Sequence, residues 1–195
     1  MQNENDNSRE DSFDEAAYIE KMNTDRQLKD IEFTDSTLSR FNAEERASFH
    51  GLNYFSPNPN YRIEASFSVD TNMPAFKMPT NTERTPNYRI YAYLKFQIND
   101  TACRLTVFQN MDFKDHPEHG EYLFIPFSDK TNGSLSYGAG RYIDISIPKE
   151  NKIFLDFNEA YNPYCAYSDR WSCPLVPFEN YLNISIPAGE KKYKH

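Results

Sequence analysis

The sequence predicts a mainly β domain, either an antiparallel β-barrel or a two-sheet β-sandwich, preceded by one or two helices. Three observations carry this. Seven or eight short segments between residues 61 and 186 alternate apolar and polar residues, separated by turn residues and with no helical segment between them. The first fifty residues show helical spacing and helix-start signals instead. Finally, 195 residues with 14 Tyr and 15 Phe give the length and bulk for a single substantial core.

Taken in order, residues 1–12 read as a disordered acidic tail; the first fifteen residues hold six acids and one arginine, so most of the net charge of −8 sits there. Ser12 and Glu15 fit a capping box. A helix from about Asp14 to Asp30 follows, with a thin apolar face of Ala16, Ile19 and Met22 laid across something larger. Asn42 and Glu45 repeat the capping pattern before a short helix that Gly51 can end. Residues 13–50 are thus a helical segment packed on a β domain of residues 51–195.

Within that domain Ile63, Ala65, Phe67 and Val69 alternate with polar residues, and Ile90, Ala92, Leu94, Phe96 and Ile98 do the same. Asn99-Asp100 then supplies a tight hairpin turn into "CRLTVF". The later strands are "EYLFIPF", "RYIDISI", "KIFLDF" and "YLNISI", with "IPKENKI" reading as another hairpin connection.

Composition narrows the partners. The body is only mildly acidic and has no basic stripe to neutralise phosphates, so a nucleic-acid partner is not expected. No transmembrane segment is expected, because the longest apolar run, "YLFIPF", falls far short of the roughly 20 residues that span a bilayer. The start lacks the basic and apolar regions of a signal peptide, which predicts a cytoplasmic protein if the sequence is complete. "QNENDNSREDS" also has the composition of a spacer behind a removed leader, and in that case the protein is exported or lipid-anchored.

Between Phe124 and Glu179 the grammar becomes irregular. Gly138 and Gly140 before a strand form either a tight turn or a nest of N–H groups for an anion. Arg141 shares parity with Ile143, Ile145 and Ile147, so its guanidinium points inward and must find partners. Asp129, Asp156 and Glu179 are candidates. Arg141 is then either a structural salt bridge or a fork presented to a ligand carboxylate or phosphate. "DFNEAYNPYCAYSDRWSCP" follows, with no regular period but five rings; a loop of that length is functional or disordered, and its rings and prolines favour order. Asn158 and Asn162 can replace missing ladder bonds within it.

Of three cysteines, Cys103 reads as a buried small hydrophobe. Cys165 and Cys173 are candidates for a disulfide; reduced thiols, a metal site lacking two ligands and a nucleophile lacking a nearby histidine are the alternatives. His116 and His119 fall in a polar insertion. No metal and no cofactor is expected.

The stretches "FIPFSDKTNG", "YGAGRYIDI", "DFNEAYNPYCAY", "CPLVPFEN" and "IPAGEKKY" resemble, in order, the motifs of a bacterial family called domain of unknown function 1684, over about Phe49 to Tyr193. Ser136 and Val176 depart from the usual threonine and proline. The resemblance implies a predominantly β domain, in some members behind a lipoprotein-type leader. It also groups Asp129, Arg141, Asp156, Asn158, Cys165, Cys173, Glu179 and Asn180 in one constellation.

The functional expectation is a small-ligand-binding β domain, with the 156–180 loop covering a pocket of Tyr137, Arg141, Asp156, Asn158, Tyr161, Asn162 and Asn180 for an anionic or sugar-like ligand. The alternative is a hydrolase using a carboxylate pair from Asp129, Asp156 and Glu179.

Overall fold

The computed structural model describes residues 13–70 and 72–193; the expected acidic tail and the Ser12 cap lie outside them. Helix α1 (Glu15–Thr34) starts at Asp14, whose carboxylate accepts the Ala17 N–H at 3.0 Å, and continues one turn past the expected Asp30. Helix α2 (Ala43–Ser48) has the expected reciprocal cap: Glu45 N–H donates to Asn42 Oδ1 at 2.9 Å, and Asn42 N–H to Glu45 Oε2 at 2.8 Å.

The β domain is a single curled sheet. Its strands are β1 (Arg62–Val69), β2 (Phe76–Lys77), β3 (Asn87–Ile98), β4 (Thr101–Asn110), β5 (Tyr122–Asp129), β6 (Arg141–Ser146), β7 (Lys152–Asp156) and β8 (Tyr181–Leu182). The main order is β6-β5-β4-β3-β1-β7, antiparallel throughout, with β2 beside β3 and β8 pairing in parallel with β5. The β3–β4 turn is made as expected, by Asn99 and Asp100 at φ 45° and 62°.

Residues 147–151 do not make the expected hairpin. Strands β6 and β7 are successive in sequence but occupy opposite edges of the sheet. Five residues reach at most about 20 Å, so the sheet must curl to bring its edges within reach of one another. It forms a half-barrel, and its core is the cluster inside the curl: Phe67, Leu94, Leu105, Leu123, Ile125, Ile143 and Leu155 from the strands, with Phe157 and Ile186 from the later loops. Cys103 belongs to this cluster, as expected.

One strand changes face midway. A β-bulge between Ile90 and Ala92 inserts Tyr91 without a partner on β4. Ala92, Leu94 and Phe96 therefore face the core, whereas Tyr88 and Ile90 join Met78, Phe108 and Phe124 on the other side of the sheet. This corrects the expectation that Ile90 shares the inner face. "YLNISI" is a strand over two residues only, because its later part serves as an acceptor for the loops around Asp129.

Candidate functional site

Arg141 opens β6 and is completely buried. One terminal nitrogen, Nη2, meets Asp129 Oδ2 at 2.8 Å and the Ile186 carbonyl at 2.9 Å. The other, Nη1, donates to the Ala188 carbonyl and, at 3.2 Å, to the Glu190 carbonyl. Asp129 is itself buried; its Oδ1 accepts the N–H groups of Thr131 at 2.7 Å and Ile186 at 3.2 Å. Burial pulls the guanidinium below its ordinary pKa, and Asp129 opposes that shift. Arg141, with no exposed surface, lines none of the three principal cavities among the described residues. It ties β5, β6 and residues 186–190 together, which is the structural-bridge reading rather than the ligand fork. Gly138 to Gly140 form a turn in which Gly140 N–H donates to the Tyr137 carbonyl at 3.2 Å.

The expected constellation separates into several knots. Asp156 accepts the Asn158 N–H at 2.9 Å and the Tyr18 hydroxyl at 2.7 Å, pinning α1 to the end of β7. Asn158 exchanges bonds of 2.9 and 2.8 Å with the backbone of Asn58. Asn180 stands where β4 and β5 part company: it accepts the Thr106 N–H at 2.7 Å and donates to the carbonyls of Thr106 and Pro126. Asn162 donates its N–H to Glu190 Oε2 at 2.8 Å and its amide to the Lys191 carbonyl. Glu179 lies exposed on the surface, so neither it nor Asp156 pairs with Arg141.

These bonds order the 156–180 loop, and a buried carboxylate not singled out beforehand, Glu190, anchors it further. Glu190 accepts from Lys29 at 2.8 Å, from Asn162 and from the Tyr167 hydroxyl at 2.5 Å. Phe33, Phe41 and Phe49 of the helical segment close a ring cluster around Tyr167. Across β6 the loop makes a two-bond bridge, Tyr161 to Tyr142, at 2.9 Å each way.

A half-open cavity lies where this loop and α1 approach the outer face of β5 and β6. It encloses about 510 Å³. Rings wall it: Tyr88, Phe124, Tyr142, Tyr161 and Tyr164, with Phe124 and Tyr142 in edge contact at 4.7 Å. Asp144 faces this space, its Oδ2 accepting the Tyr161 hydroxyl at 2.6 Å. Asp144 keeps an exposed side chain, and the walls packed around it push its carboxyl upward, which the Tyr161 hydroxyl and Lys29 partly offset. Burial pushes Tyr88 up to about 12 and Tyr161 well above 10. Lys29 sits over the Tyr161 ring at 4.9 Å while bound to Glu190.

Of the pocket residues expected from sequence, Tyr161 and Asn162 line this cavity; Tyr137, Arg141, Asp156, Asn158 and Asn180 do not. Tyr88, Tyr142 and Asp144 were missed. Tyr142 and Asp144 have the opposite parity to Arg141 and Ile143, so the signal was present in "RYIDI" but on the other face of the strand.

Cys165 and Cys173 are free thiols in the structure rather than the expected disulfide. They are neighbours all the same: Cys165 N–H donates to Cys173 Sγ at 3.3 Å, and the Tyr137 hydroxyl lies 3.8 Å from Cys165 Sγ. Hydrogen bonding from Cys173, opposed by burial, brings the Cys165 thiol down to about 7, and the shared proton pushes Cys173 up.

No helix among the described residues is long and apolar enough to cross a membrane. Fold and loop together define a curled antiparallel half-barrel, closed on one side by an N-terminal helix and a long aromatic loop. The chain belongs to the family described as Protein of unknown function (DUF1684), whose model matches residues 47–191. It is similar to an uncharacterized protein of the archaeon Haloarcula marismortui, known from a solution NMR structure. The two share 36% sequence identity with a TM-score of 0.68, covering 90% of this chain and 95% of that one. No curated protein matches the chain.

Proposed function

We propose that the chain is a small-ligand-binding domain whose ligand occupies the cavity between α1, the 160–174 loop and the outer face of β5 and β6. The ring-walled 510 Å³ space with the Asp144–Tyr161 pair inside it carries the reading. Such a volume suits a small molecule, and a few polar groups among rings fix its orientation. The chemistry favours a neutral, sugar-like ligand over an anionic one. Rings stack on the apolar faces of a sugar while a carboxylate accepts from its hydroxyls. Asp144 and Glu32 would repel an anion; of the two lysine and arginine cations in the lining, Lys29 is engaged by Glu190 and Arg40 lies over the Tyr164 ring at 5.0 Å. Nothing comparable supports the carboxylate-pair hydrolase: Asp129 and Asp156 are committed to structural partners, and none of Asp129, Asp156 and Glu179 lines the cavity.

Trp171 packs against Tyr164 at 5.3 Å and offers a fluorescence signal for the test. Titration with glucose, N-acetylglucosamine and their disaccharides should show saturable binding, with glucuronate weaker than glucose. Asp144→Asn and Tyr142→Ala should each weaken it by about 1–3 kcal/mol, or roughly 5- to 150-fold. Glucuronate binding more tightly than glucose, or no response to any of these sugars, would reject the sugar-like reading.

A further inference from the structure

We infer that the loop between β4 and β5 holds a site for one first-row divalent cation of the zinc class, with His116, Glu118 and His119 as its ligands. The donor atoms of these three side chains lie within 4.8 Å of one another. They are the only such group of histidine, cysteine or acidic residues among the described residues. Zinc binds imidazole nitrogen and carboxylate oxygen at about 2.0–2.2 Å, so bound donors stand roughly 3–4 Å apart. The side chains are exposed, and a closure of about 1 Å by rotation is enough to bring them to that spacing.

The loop is built to present them. Successive turns fold it on itself: His116 N–H to the Phe113 carbonyl at 2.9 Å, Gly120 N–H to the His116 carbonyl at 2.8 Å, and Tyr122 N–H to the His119 carbonyl at 3.2 Å. Position 120 has to be glycine for this, because a Cβ there would stand 2.4 Å from the Lys114 carbonyl oxygen. In the metal-free loop the Glu118 N–H donates to His116 Nδ1 at 3.2 Å, which marks Nδ1 as the lone-pair nitrogen; the ion takes the place of that N–H while Nε2 keeps its proton. The two imidazoles lie nearly parallel, their centroids 4.6 Å apart.

The donor set selects the metal. Two imidazoles and one carboxylate suit zinc, nickel or cobalt. Calcium requires six to eight oxygen ligands and magnesium an octahedron of oxygen, which this loop does not offer. His119 also lines the ring-walled cavity, so the ion sits at its rim. The inference does not depend on what the cavity binds.

The test uses the full chain without a histidine tag, stripped with chelator and titrated with zinc against a chromophoric zinc indicator at neutral pH. One equivalent should bind, and a large excess of magnesium or calcium should not displace it. Loss of outer hydrogen-bond partners alone typically costs a metal site about 10- to 100-fold. His116→Ala and His119→Ala should therefore each weaken zinc binding at least about tenfold, while His50→Ala leaves it unchanged. The metal-free variants should keep the parent's circular-dichroism spectrum, because all three side chains are exposed. A His116→Ala/His119→Ala double variant that binds zinc as tightly as the parent would overturn the proposal. So would a parent protein that takes up none, or one from which magnesium displaces zinc.

Discussion

At position 141 a fully buried guanidinium is tolerated because four acceptors surround it: one carboxylate and three backbone carbonyls. Removing it leaves Asp129 as an uncompensated buried charge. Arg141→Ala should therefore destabilise the fold by about 3–5 kcal/mol, lowering the thermal midpoint by roughly 10 °C for a chain of this length. Arg141→Lys should not restore it, since a single ammonium cannot span Asp129 and residues 186–190 together. A calorimetric midpoint equal to the parent's in either variant would contradict this account. The inward direction of Arg141 was legible in the sequence, because alternation with Ile143 and Ile145 fixes the face. Its carbonyl partners were not, since a backbone carbonyl carries no side-chain signature. Asp144 escaped notice for a related reason: reading one face of β6 as the core made its other face look like solvent, whereas Tyr142 on that face is buried.

At the scale of elements, strands and caps were the most legible part. Period-two alternation located six main strands, and the Asn42–Glu45 pair located a helix start. The bulge at Tyr91 was not legible, because one inserted residue moves Ile90 to the other face without altering the alternating pattern. The order of the long loop was read from its rings; the residues fixing it, Glu190 and Gly189, lie far along the chain. Gly189 has φ +74°, and a Cβ there would meet the carbonyl oxygens of Ala160 at 2.5 Å and Phe157 at 2.8 Å. Gly189→Ala should cost about 1–3 kcal/mol in backbone strain alone, with a further penalty as the loop is pushed off Glu190. Limited proteolysis should then cut the 160–174 loop faster than in the parent; an unchanged cleavage rate would mean that this contact does not hold the loop.

Across the whole molecule, aromatic burial sets the response to alkali. Burial raises the phenols of Tyr142, Tyr161 and Tyr167 far above 10. Their folded pKa values exceed the unfolded ones, so the stability they contribute is complete below pH 10 and is lost as pH rises beyond it. Each phenol kept protonated costs about 1.4 kcal/mol per pH unit above 10. The thermal midpoint should hold from neutral pH to about pH 10 and then fall steeply, with the tyrosinate absorbance of the buried phenols appearing only as the fold is lost, after that of exposed rings such as Tyr122 and Tyr181. Early, reversible ionisation of every tyrosine without unfolding would contradict it. The fold class was legible as a whole, but the half-barrel closure was not: whether "IPKEN" joins neighbours or opposite edges depends on sheet order, which local pattern does not encode. The same topology bears on how the protein is made. Arg141 has three of its four acceptors on residues 186–190, and α1, made well over a hundred residues earlier, bonds to Asp156, Asn158 and Glu190 only once that later part of the domain exists. Before that, α1 can rest only on Phe41, Phe49, Leu52 and Phe55, and Arg141 has no lasting home, so the β domain cannot close until residues 186–190 have been made.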